Sequence, residues 1–131
     1  MYEYHGWITV RDTAVDDEDV DRLRQIVEAI RLRIAQIASP YLLDLRWMNG
    51  EPFIHLGGFS NHSLSPDVLG LFEYVAVIAP GSYGLLHVHD DEDPGHENEV
   101  RVHRLVRGML TQHAEELLSP CIPTLEDPIT G

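Results

Sequence analysis

The chain has 131 residues, 44% of them apolar, which suits one globular domain with a real core and is too apolar for a disordered segment. Its 22 carboxylates oppose 9 basic residues, all of them arginine, for a net charge of −13 at pH 7. A field of that sign repels nucleic acid, and no apolar run approaches the roughly 20 residues of a membrane span; the charge serves either solubility alone or encounter with a basic protein.

Tyr2 to Asp12 is rich in aromatic and β-branched residues and predicts a first strand. Alternation puts Tyr2, Tyr4, Gly6, Ile8 and Val10 on the face turned to the core. Trp7 falls on the other face. Either a second apolar layer covers it or it is an exposed anchor; large aromatics are seldom left in water, so a cover is expected. Asp16, Asp17, Glu18 and Asp19 then suit the positive end of a helix. In that helix Val20, Leu23, Val27, Ile30, Ile34 and Ile37 recur at three- and four-residue steps, until Ser39-Pro40 stops it.

Two strand-like runs between Tyr41 and Phe59 flank Asn49-Gly50, the preferred dipeptide of a two-residue hairpin turn. Leu43, Leu45 and Trp47 alternate with Asp44 and Arg46, as a half-buried strand requires. Pro52 lacks an amide donor and marks an unpaired or edge position at the start of the second run. Ser65 as N-cap and Pro66 at the first helical position open a second helix, with Val68, Leu71, Phe72, Val75 and Ile78 inward. A strand from Tyr83 to His89 leads into an acidic loop, and a last strand is expected from about Glu99 to Leu110. Residues 111–131 read as a proline-punctuated C-terminal tail. The order β-α-β-β-α-β-β predicts a single α+β domain over residues 1–131. Its expected architecture is a mainly antiparallel five-stranded sheet with two helices packed on one face, around a ferredoxin-like core.

The densest chemistry lies between His87 and Glu99. His87 and His89 share a strand face, a legitimate two-ligand geometry for a metal, with carboxylates close behind. The spacing from Gly81 opens like a cupin metal motif. It then fails, because Glu92 sits one residue early and no second histidine motif follows. Asp90 to Asp93 are consecutive, whereas a calcium loop needs spaced oxygens around a central glycine. Cys121, the only cysteine, has no basic neighbour in sequence to activate it and cannot form an internal disulfide. There is no lysine for Schiff-base or P-loop chemistry and no G-x-S-x-G elbow. The sequence therefore predicts no enzyme and no cofactor; the alternative is a small metal-dependent or acid–base enzyme using His87, His89 and nearby carboxylates. With no signal pattern in Met1–Trp7, the expected location is the cytoplasm.

A set of short motifs runs in order along the chain: HGW at His5–Trp7, NG at Asn49-Gly50, GFSNH at Gly58–His62 and SYGLL at Ser82–Leu86. DDED at Asp90–Asp93, NE at Asn98-Glu99, RG at Arg107-Gly108 and LSPCIPTLED at Leu118–Asp127 complete it. Together they resemble the Immunity protein 7 family of bacterial polymorphic toxin systems. That resemblance implies a small cytoplasmic α+β protein, encoded beside a toxin, that binds and neutralises the toxin domain. Many such toxins are nucleases with basic clefts, which an acidic inhibitor would complement. The candidate toxin contacts are Asp90, Asp91, Glu92, Asp93, Glu97 and Glu99, with Tyr83 flanking the loop. Trp47, Asn61, Glu126 and Asp127 are the alternatives elsewhere on the surface.

Overall fold

The computed structural model describes residues 1–13, 19–37, 39, 41–61 and 66–121. Strand β1 (Tyr2–Thr9) is followed by helix α1 (Val20–Ala35), β2 (Leu42–Met48) and β3 (Glu51–Ser60). Helix α2 (Pro66–Ile78), β4 (Tyr83–Asp90), β5 (Val100–Val106) and β6 (Met109–Glu115) complete the order. All strands join one antiparallel sheet in the order β2-β3-β1-β4-β5-β6. β1 and β2 run parallel with β3 between them, and β3 and β4 run parallel with β1 between them. Each helix is thus the crossover of a split β-α-β unit, and the two units interleave.

The sheet has six strands, not the expected five. The run from Glu99 to Leu110 is broken at Arg107 (φ 50°) and Gly108 (φ 75°), a two-residue turn with both residues left-handed. Thr111–Glu115, expected in the tail, belong to β6. The same turn chemistry appears where it was anticipated, at Asn49 (φ 51°) and Gly50 (φ 81°) between β2 and β3. Valine at Gly50 would be strained at that φ whatever space surrounds it. We expect Gly50→Val to cost on the order of 1–2 kcal/mol, read as a lowered midpoint in urea with unchanged slope.

Register decides the faces. Ile8 stands opposite Ile54 and Gly84, Leu45 opposite Ile54, and Leu105 opposite Gly84. These side chains point to the helical layer. There they join Leu23, Ile26, Val27 and Ile30 of α1 and Val68, Leu71, Phe72 and Val75 of α2 in one core. Val20, assigned inward by periodicity, is 55% exposed, and Ile26 takes a buried place that the stripe omitted.

Asp19 caps α1, its Oδ1 accepting from the amides of Asp21 (3.1 Å) and Arg22 (3.2 Å). The helix ends at Ala35, short of Ser39, with Gln36 as C-cap. Near that end the Arg33 guanidinium lies 5.0 Å from the Tyr74 ring centroid and ties α1 to α2. α2 begins at Pro66, while Ser65, the expected cap, lies outside the described residues. Pro52 sits on an interior strand. Its carbonyl accepts from Val10 N–H at 3.0 Å, but it has no N–H to return, and the β1–β3 ladder stops there.

Candidate functional site

The face of the sheet opposite the helices has no covering layer among the described elements. Alternation sends Glu3, His5, Trp7 and Thr9 of β1 to this side, beside Tyr83, Leu85, His87 and His89 of β4. Phe53, His55 and Phe59 of β3 continue it in one direction; Val100, Val102, Arg104 and Val106 of β5 continue it in the other. The expectation that Trp7 would be covered is corrected: its indole is 36% exposed and packs edge-on against the Tyr83 ring, centroids 6.0 Å apart.

At the end of this face nearest the acidic loop, Glu3, His5, His87, His89, Val100, Leu118 and Cys121 line a recess of about 310 Å³. The segment after β6 folds back to close it. Ser119 Oγ accepts from Val100 N–H at 2.9 Å, and Cys121 N–H donates to the Asn98 carbonyl at 3.0 Å. His5 and His87 are direct cross-strand neighbours, and each has a carboxylate beside it. His5 Nε2 lies 2.7 Å from Glu3 Oε2, and His87 Nε2 lies 3.6 Å from Glu115 Oε2.

His89 is 9% exposed, with Nε2 3.0 Å from the Glu97 carbonyl, so its ring braces the loop. Among the described residues no group of three or more His, Cys, Asp or Glu is disposed to hold a metal ion. Burial, with Glu3 nearby, pushes the Cys121 thiol above its ordinary pKa, the opposite of what activates a thiol.

The acidic loop is a built element and not a loose run of repelling charges. Asp90 Oδ1 accepts from Glu92 N–H at 3.0 Å. The Asp90 and Asp93 carbonyls accept from Asp93 (3.1 Å) and His96 (3.0 Å). Glu97 folds back to accept from Gly95 N–H at 3.1 Å, and its own backbone amide, with that of Gly95, holds its carboxyl below the usual range. Glu99 pairs with His96 at 2.7 Å. Asp91 meets the Met1 amino group at 2.7 Å. Glu92 and Asp91 nevertheless remain exposed, as does Glu97. Gly95 (φ 83°) takes the left-handed backbone conformation within these turns.

The proposed contacts do not form one cluster. Asn61 follows Ser60, which pairs with Tyr2, and Asp90 pairs with Tyr2 from the other side, so Asn61 and the loop share one end of the sheet. Tyr83 does not flank the loop. It begins β4 and Asp90 ends it, seven steps or about 23 Å away. Trp47 is also at the far end, on the helical side of edge strand β2, beside an open groove of about 700 Å³ with Val20, Arg24, Glu28 and Gly50. Glu126 and Asp127 lie outside the described residues. The aromatic pair Trp7–Tyr83 was not found from sequence, because only register reveals that residues 7 and 83 are neighbours.

Among the described residues the scaffold is a two-layer α+β one, with a sheet face that no helix covers and a hydrogen-bonded acidic loop beside it. Residues 1–127 match the family model described as Immunity protein 7, and the chain belongs to that family. Comparison with curated proteins and with solved structures returns no significant match to either. No helix among the described residues is long and apolar enough to cross a membrane.

Proposed function

We propose that this chain is an immunity protein that binds a cognate toxin domain in the cytoplasm of the producing bacterium and blocks it stoichiometrically, without catalysis of its own. The family match across residues 1–127 carries the reading. The net charge of −13 supports a basic toxin, of which a nuclease with a cationic cleft is the natural example. The role proposed for Asp90, Asp91, Glu92, Asp93, Glu97 and Glu99 is electrostatic. They raise the rate at which a basic surface finds this one, and their hydrogen-bonded turns limit the entropy lost when that surface docks.

The test is co-expression with the toxin domain encoded beside this chain, followed by binding kinetics at low and high salt. Growth should be rescued only when the chain is present. Changing Asp90, Asp91 and Asp93 to asparagine and Glu92 to glutamine keeps an acceptor oxygen at each position. At low ionic strength that variant should associate about tenfold more slowly, with a flatter salt dependence and an unaltered fold. Unchanged association would remove the loop from the recognition surface. Failure to rescue or bind at all would remove the immunity assignment.

A further inference from the structure

The bare face of the sheet is more apolar and aromatic than solubility requires. Trp7 is 36% exposed, Tyr83 43%, Phe59 54% and Met109 66%, and register puts all four on the side of the sheet away from the helices. Tyr83, Val106 and Met109 follow one another across β4, β5 and β6 in register, and Phe53 continues that row through Thr9 on the other side. Trp7 lies two residues along β1 from Thr9, edge-on to Tyr83. The result is a row across the end of the sheet away from the acidic loop, with Trp7 and Tyr83 on the two central strands of the six. Trp and Tyr in that setting are the residues in which binding energy concentrates, because they bury much area for little lost rotamer freedom.

The charges around this surface are graded. Glu3 and Glu115 stand on the face at the end next to the acidic loop, while Arg11 and Arg107 border Tyr83 at the other. We infer that this open sheet face is where the toxin domain seats, an apolar projection of the toxin covering Trp7 and Tyr83 while its basic rim meets Glu3, Glu115 and the loop. This rests on the immunity reading and divides the labour within it: the loop governs encounter, and the aromatic pair governs how long the complex lasts. A second copy of the chain is the poorer occupant, since it would bring another −13 charges against the same acidic field.

The test isolates Trp7 as the only tryptophan through Trp47→Phe and follows its quenching by acrylamide. The free protein should be quenched readily, and addition of the toxin domain encoded by the neighbouring gene should protect the indole. In parallel, Trp7→Ala with Tyr83→Ala should speed dissociation of that toxin domain by about 30-fold or more while changing association by less than about threefold. Met109→Glu, at an exposed position of the same row, should weaken binding in the same way without the loss of an anchor. Val77→Glu, on the exposed side of α2, should leave it unchanged.

Toxin binding with Trp7 still fully quenchable, or with dissociation unaltered in the double variant, would overturn the inference and leave the immunity assignment standing. Protection already complete in the dilute free protein would overturn it in favour of a cover from this chain itself. Protection that grows with the protein's own concentration would overturn it in favour of self-association. If the unaltered protein fails to bind that toxin domain, both readings fall together.

Discussion

Gly84→Ala should destabilise the protein by on the order of 3 kcal/mol, although it adds one methyl group to a strand. Gly84 stands opposite Ile8 where β1 and β4 pair. A Cβ built there would fall within contact distance of the Trp7 carbonyl oxygen, 2.9 Å from Ile8 Cα and 3.1 Å from Ile8 Cγ1. The first two are main-chain atoms of a central strand, so no rotamer change relieves the overlap and β1 must move away from β4. Urea denaturation should show a lower midpoint with the slope preserved. Since Gly84 is the residue beside Tyr83 and its clash is with Trp7 itself, the displacement should also disturb the aromatic pair. The affinity of the surviving folded protein for the toxin domain should therefore fall as well. Wild-type stability in Gly84→Ala would mean that β1 and β4 are not in this register.

Phe72→Ala should cost more, about 3–5 kcal/mol. The Phe72 ring is completely buried on the inner side of α2, in the core that β1, β3 and β4 share with both helices. Its removal loses the transfer energy of a benzyl group and leaves a hole that a sheet on one side and α1 on the other cannot close. For a chain of this size the melting temperature should drop by roughly 10–20 °C. Val77, 79% exposed on the same helix, supplies the control: its alanine variant should melt within a degree or two of the parent. Comparable losses at both positions would argue that α2 presents a different face to the sheet.

The parts of this fold legible in the sequence are those set by local chemistry. Asn49-Gly50 prescribes its own turn because both residues tolerate positive φ. Asp19 and Pro66 mark helix starts through groups that act within one turn. The inward set of β1 follows from a period of two. Arg107-Gly108 makes the same turn, but arginine has no intrinsic preference for the left-handed region, so the break between β5 and β6 left no local signal.

The candidate site was legible only as composition. The acids of residues 90–99 announce themselves, yet their backbone hydrogen bonds depend on a loop path that a run of carboxylates does not specify. The exposure of Trp7 is not legible in β1 alone, because an isolated strand gives no information about which of its faces meets a second layer. That depends on both crossovers passing over the same side of the sheet, which is a property of the whole chain.

The interleaving of the two split units has a consequence for how the protein comes into being. β1 is made before either of its partners, which are residues 51–60 on one side and 83–90 on the other. During synthesis it can form the β1–β3 ladder only after Ser60 has left the ribosome, and it stays a bare edge until Asp90 has followed. The central register of the sheet therefore closes late, across long separations that make folding slow relative to a helical protein of equal size. Until then Tyr2, Tyr4, Ile8 and Trp7 are exposed on an unpaired strand. Pairing of the central strand β1 on both sides thus waits for the chain as far as Asp90. Protection in a growing cell should depend on a standing pool of finished molecules more than on chains still being made.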